Sequence, residues 1–182
     1  PSLNTIPIKL TRKIQKILFD SGQKKVLNVG SGSATGCGRK LWKNVLTTNV
    51  TNVDIAGGDD IDLIADAHNL PFENESFDTV IMQAVIEHLH SPNKAVDEAF
   101  RVLKKGGILY LEVPFLQGFH ADPHDYQRFT EVGLKKLVEK FDKVLLSGVS
   151  VGPFCSLVWI IRDLVSNLFN IRLLNYFLRF IK

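Results

Sequence analysis

Residues 26–39 read VLNVGSGSATGCGR, an apolar run passing straight into a glycine-rich loop. That is how a buried strand, here Lys25–Val29, delivers its carboxyl end to a turn that can hold a ligand against backbone N–H groups. The glycines are Gly30, Gly32, Gly36 and Gly38. A dinucleotide fingerprint, G-x-G-x-x-G/A, needs a small residue in its sixth place for close helix–strand packing, and Thr35 stands there instead. Dinucleotide sites seat pyrophosphate on that helix N-terminus, so the mismatch counts against one. The loop also leaves only a short helix around 39–45 before the next strand. Alone, it fits a tight turn as well as a cradle.

Outward from the loop, helical and β-branched stretches alternate. Residues 8–20 put Leu10, Ile14, Ile17 and Leu18 on one helical face with lysines opposite, and Gly22 follows as a stop. Asn49–Ile55 reads as a second strand ending on Asp54, Asp62–Ala65 as a short third, Phe77–Gln83 as a fourth and Gly107–Val113 as a fifth. A helix is predicted from Pro92, with Ser91 as N-cap, a stripe of Ala95, Val96, Ala99, Phe100 and Leu103, and Gly106 as its end. A further helix after Thr130 should bury Leu134, Leu137, Val138 and Phe141, and Val144–Val149 reads as a sixth strand. This alternation predicts an α/β fold: a doubly wound, mostly parallel Rossmann-like sheet with helices on both faces. Such sheets bind ligands outside the carboxyl ends of their strands. Asp54 closes the second strand 24 residues after Gly30, where a carboxylate can accept ribose hydroxyls.

The whole chain sets bounds on function. Its 182 residues suit one domain, and 45% hydrophobic with 23% charged residues suits a folded, soluble one. The net charge of +3 is mild and, apart from Lys9, Arg12, Lys13 and Lys16, the cations are scattered, so no nucleic-acid partner is expected. Cys37 and Cys155 lack metal-ligand spacing, which fits a reducing cytoplasm, and Cys37 reads as a small buried side chain. No signal peptide opens the sequence, and no apolar run reaches the ~18–20 residues that span a bilayer.

Three more stretches decide the family: IADAHNLPF (64–72), FDTVIMQAVIEHLHSP (77–92) and RVLKKGGILYLEVP (101–114). With the glycine loop, in this order over residues 24–145, the series resembles the class I S-adenosylmethionine-dependent methyltransferases of the small-molecule branch. The resemblance implies S-adenosylmethionine as cofactor. Gly30, Ser31 and Gly32 would pack against its methionine part, Asp54 would bind its ribose and Ile55 its adenine. Asp66 would accept from the adenine amino group beside Ala67, and Gln83 with Ala84 would line the wall below the sulfonium. The cofactor has no phosphates, which suits the failed fingerprint. Two positions depart from the pattern: Asn28 replaces a usual acid, and Ala34 replaces the third loop glycine. Residues 1–150 would form the cofactor-binding domain. The antiparallel hairpin strand that usually ends this sheet has no clear candidate.

Methyl transfer needs alignment and sometimes a base for the acceptor's proton. Glu87–His88, just past the fourth strand, offers such a base in His88, or else packs as structure with Glu87 paired to a lysine. The stretch VPFLQGFHADPHDYQRFT (113–130) offers His120 and His124 as base or acceptor-binding groups and Tyr126 and Arg128 as acceptor contacts. The alternative there is that Asp125–Arg128 and Tyr126 pin the loop while Thr130 caps the next helix. A metal held by His120, Asp122, His124 and Asp125 is opposed by Pro123 and the crowded spacing, so no metal is expected. The HDY-RFT stretch is similar to one in methyltransferases resembling those encoded among surface-polysaccharide enzymes, which points to a small, sugar or lipid-linked acceptor.

From Gly152 onward the sequence is apolar and basic, and 151–182 reads as a helical tail packed on the domain or at an interface. Residues 156–182 could instead lie on a membrane surface or form a dimer face. Two other functions compete with methyl transfer: a nicotinamide-dependent oxidoreductase, and a degenerate methyltransferase fold serving as a binding module.

Overall fold

The computed structural model describes residues 12–14, 16–17, 22, 25–32, 49–121, 123–150 and 152–169. Most of the 8–20 helix, the 39–45 helix, Ala34, Cys37, Asp122 and the tail beyond Phe169 lie outside the described residues.

Five strands form one sheet: β1 (Val26–Val29), β2 (Val50–Asp54), β3 (Leu63–Ile64), β4 (Phe77–Gln83) and β5 (Leu103–Glu112). Their order is β3-β2-β1-β4-β5, and every pairing is parallel. The chain winds one way from β1 to β3 and the other way from β4 to β5, so the switch point lies between β1 and β4. That places the Gly30 turn at the crevice where such sheets take ligands. Val26, Leu27, Val29, Val80, Ile81 and Met82 are buried, as central parallel strands covered on both faces require.

Helix α1 (Pro92–Val102) buries Ala95, Val96, Ala99 and Val102. Ser91 caps it with its backbone carbonyl, which accepts from Lys94 N at 3.1 Å, and its side chain makes no cap bond. Two details of the expected helix change. Phe100 is 47% exposed and stacks edge-on against Phe141 instead of joining the core. The helix ends at Val102, not Gly106, and Leu103 already pairs with Phe77 in β5. The register then slips, Thr79 pairing with Ile108, and the extra residues include Gly106 at φ +75° and Gly107. A Cβ on Gly107 would lie 2.9 Å from Lys104 O and 3.0 Å from Asp78 O, so the irregularity requires glycine there.

Helix α2 (Glu131–Leu137) begins at Thr130, whose hydroxyl accepts from Gly133 N at 3.1 Å. Leu134, Leu137 and Phe141 pack on the core without being fully covered. Helix α3 (Pro153–Phe169) follows. Residues 144–149 form no strand: they pair with nothing, and Val144, Leu145 and Val149 are half or more exposed. A β-branched run without a ladder partner lacks what makes a strand stable. Among the described residues, β5 and β3 are the two edges of the sheet.

Candidate active site

The Gly30 turn rests on β2, with Gly30 N and Ser31 N donating to Val53 O at 2.8 and 3.2 Å. Gly30 has φ +66°, and a Cβ there would lie 2.4 Å from Val85 Cγ2. Both facts demand glycine: the conformation is left-handed and the turn presses on Val85, two residues past β4. Gly32 has φ +65° with open space around it.

Asp54 ends β2 beside this turn. Its Oδ2 accepts from Gly32 N at 2.9 Å and its Oδ1 from Ala56 N at 3.0 Å. Ile55, the next residue, is 67% exposed. Asn28 is nearly buried and donates to Asn52 Oδ1 at 3.0 Å, linking β1 to β2. Ser31 Oγ is buried without a hydrogen-bond partner.

Asp66 lies just beyond β3, its Oδ1 accepting from His68 N at 2.8 Å and meeting His68 Nδ1 at 2.7 Å. These contacts, the backbone N–H first, hold its carboxyl below the usual range. Ala67 beside it is buried. The segment after it is clamped by Arg101 of α1, which donates to Leu70 O, Phe72 O and Asn74 Oδ1 at 2.9, 2.7 and 2.9 Å. Its remaining N–H groups hold Glu98 bidentately at 2.8 Å. All five guanidinium donors are thus engaged.

At the end of β4, Gln83 donates to Glu112 Oε2 at 2.9 Å, and Tyr110 OH and Ser150 Oγ share the same carboxylate. Burial, then the charge of Glu112, pushes the Tyr110 phenol up. Ala84 holds a left-handed φ of +53°, sparsely occupied by residues with a Cβ, and donates to Glu112 O.

A short turn, Ile86–His88, follows. Glu87 is fully buried, and neither carboxylate oxygen has a hydrogen-bond partner. Its Oε1 stands 3.8 Å from the Nε2 of both His88 and His120. Desolvation pushes the Glu87 carboxyl above its ordinary value despite the cations nearby. The expected lysine partner is replaced by these two imidazoles.

The loop after β5 folds down onto this turn. Tyr126 N donates to Glu87 O at 2.8 Å, and Gln127 Nε2 to Leu89 O at 3.0 Å. Arg128 engages all five donors within the loop, on Gln117 O, Gly118 O, Gln127 O and both oxygens of Asp125. No N–H remains to grip an anionic acceptor, so Arg128 fastens the loop. Asp125, held well below the usual carboxylate range by Arg128, also accepts from His120 N at 2.9 Å. The structure therefore brings together His88, His120 and Glu87. It leaves His124 exposed, its ring 5.4 Å from that of Tyr126. Arg101 and Glu112 had been given no role in the sequence, and Glu87 only that of a lysine's partner.

Comparison with known proteins now bears on the family. Residues 27–111 match the family described as methyltransferase domain. A demethylmenaquinone methyltransferase of Clavibacter sepedonicus is 43% identical over 54 residues, 29% of this chain and 22% of its own. A tRNA (carboxymethyluridine(34)-5-O)-methyltransferase of Arabidopsis thaliana is 44% identical over 54 residues, 28% of this chain and 13% of its own. The chain spans a quarter or less of the length of both. The crystal structure of a SAM-dependent methyltransferase of Thermotoga maritima, described as a possible histamine N-methyltransferase, superposes with TM-score 0.53 at 21% identity, over 74% of this chain and 69% of its own; it supports the fold. The nicotinamide alternative falls with the family match. Residues 27–111, a little under half of the chain, are thus similar to a methyltransferase domain, and the all-parallel sheet that carries them has the Rossmann-like order expected of the S-adenosylmethionine-dependent methyltransferases.

Proposed function

We propose that the protein transfers the methyl group of S-adenosylmethionine to a small-molecule, sugar or lipid-linked acceptor. The observation that carries the proposal is the pair of carboxylates past the carboxyl ends of adjacent strands, Asp54 ending β2 beside the Gly30 turn and Asp66 just beyond β3. The residues fit this cofactor. Each Asp54 oxygen accepts one backbone N–H and retains a lone pair for a ribose hydroxyl. Ile55 offers an uncovered apolar surface to adenine, and the buried, unpartnered Ser31 Oγ lies in the turn that would meet the methionine part. Asn28, committed to Asn52, leaves the cofactor's ammonium to backbone carbonyls. Gln83, fixed by Glu112, and Ala84 form the wall toward the acceptor.

When bound, the cofactor supplies a methyl group already activated by its sulfonium. The chain's part is to align the acceptor and receive its proton. His88 and His120 stand together for that role, with His124 and Tyr126 at the outer edge of the same loop. A lipid-linked acceptor is supported by apolar surface nearby. Phe115, Leu116 and Phe119 are more than half exposed, and Gly118 between them lies against Asp163 of α3, whose Phe154, Ile160 and Leu164 are also uncovered. No described helix is long and apolar enough to cross a membrane.

Calorimetric titration with S-adenosylhomocysteine tests the reading. Micromolar binding that Asp54→Ala weakens at least tenfold is expected. No binding by folded protein would overturn it and favour the binding-module alternative.

A further inference from the structure

We infer that Glu87, His88 and His120 form a binding site for a first-row divalent transition-metal ion on the acceptor side of the crevice. Their ligating atoms, one from each residue, all lie within 4.8 Å of one another. Two come from the turn after β4 and one from the loop after β5, segments joined by the Tyr126 N to Glu87 O bond.

Three observations support an ion here. First, both oxygens of Glu87 are buried without a hydrogen-bond partner, and a carboxylate so placed is costly unless a cation meets it. Its separation of 3.8 Å from each Nε2 is too long for a hydrogen bond. Ligands bonded to one ion at ~2.1 Å stand roughly 3.0–4.2 Å apart, so that separation suits a shared ion.

Second, each imidazole is presented the right way round. His88 Nδ1 meets His124 O at 2.5 Å and His120 Nδ1 meets Gly118 O at 2.9 Å. A carbonyl only accepts, so each Nδ1 donates to it, and the neutral tautomer that makes this bond has its Nε2 lone pair on the side of Glu87. The Arg128 Nη2 that lies 3.4 Å from His120 Nδ1 already donates to Gly118 O and Asp125 Oδ2, so it does not reverse this assignment. An Nδ1–H held by a carbonyl is the usual outer support of a metal-bound histidine.

Third, the support is rigid and charge-balanced. Asp125 anchors the His120 backbone and neutralises Arg128, the nearest fixed cation.

Two imidazoles and one carboxylate suit zinc, cobalt, manganese or iron better than calcium. Three ligands leave coordination positions open. On the methyl-transfer reading, an acceptor hydroxyl would occupy one, and the ion would ease loss of its proton in place of a histidine base.

The test does not use activity. Protein stripped by a chelator is titrated with CoCl2, following visible absorption and melting temperature, with S-adenosylhomocysteine binding measured separately. One equivalent of Co2+ with d–d bands and a raised melting temperature is expected. Glu87→Gln and, independently, His120→Gln should weaken Co2+ at least tenfold. In chelator, Glu87→Gln should melt no lower than the parent, because it removes a buried acid. Equal Co2+ affinity in parent and both variants would place the ion elsewhere and overturn the inference. So would a folded parent that binds none. Either failure leaves the cofactor reading untouched.

Discussion

Arg101→Met is the sharpest test of how the cofactor side of the site is held. The thioether keeps much of the packing of the stem and removes the guanidinium. Three bonds to the 70–74 segment disappear, to Leu70 O, Phe72 O and Asn74 Oδ1. A net hydrogen bond contributes about 0.5–1.5 kcal/mol, and the lower half applies because the side chain is 31% exposed and water can refill the acceptors. The three together therefore amount to about 2 kcal/mol. The partly exposed ion pair with Glu98 adds at most about 0.5 kcal/mol. A loss of about 2–3 kcal/mol is expected, read as a lower urea midpoint and a fall in melting temperature of about 5–10 °C. Arg101→Lys should recover less than half, since one ammonium cannot reach acceptors spread over five residues. A variant within ~0.5 kcal/mol of the parent, the scale of an ordinary surface substitution, would refute the clamp. So would a lysine variant equal to the parent, which would mean that charge alone matters.

Glu98 is held below its usual carboxyl range chiefly by Arg101, so its contribution is complete above the ordinary value of about 4.3 and fades as pH falls through the lower folded value. Glu98→Gln should therefore melt below the parent at pH 7, and the difference should shrink below about pH 4. Gly30→Ala combines a left-handed alanine, about 1–2 kcal/mol, with overpacking on Val85 of about 1–3 kcal/mol. Adding Val85→Ala should remove the overpacking and leave the strain; a stable Gly30→Ala protein in urea would contradict the geometry. Arg128→Lys should lower Co2+ affinity severalfold while holding S-adenosylhomocysteine affinity within about twofold, because it loosens only the acceptor loop. Arg101→Lys should do the reverse in the same two titrations.

What could be read in advance followed the sheet. β1 and β4 are legible because a central parallel strand is largely apolar on both faces, β2 by its β-branched residues, and Asp54 by its place at the end of β2. The start of β5 was hidden by a bulge: Gly106 reads as a helix stop, yet Leu103 is already paired. Val144–Val149 has strand composition without a neighbour to pair with. Phe100 falls at helical spacing with the core positions but meets Phe141 at the surface. The site itself was only half visible. Arg128 read equally as an acceptor contact and as a loop pin, because sequence shows a charge and not the four nearby groups that use it. Glu87 read as a lysine's partner because its burial depends on the loop around Tyr126, far along the chain, folding onto it.

The two arginines explain why the crevice can be built from irregular chain at all. Loops expose carbonyls that no ladder satisfies, and a guanidinium with five fixed donors can gather several at once. Arg101 does this for the segment that follows Asp66, and Arg128 does it for the loop that carries His120. Each is itself neutralised by an acid three residues before it, Glu98 or Asp125, so neither brings a free charge to the crevice. Among the described residues, Glu87 on the acceptor side is a fully buried carboxylate with no hydrogen-bond partner on either oxygen, and its Oε1 faces both imidazoles. A fold that neutralises its arginines so thoroughly, yet buries one carboxylate bare between two histidines, has placed that carboxylate to meet a cation.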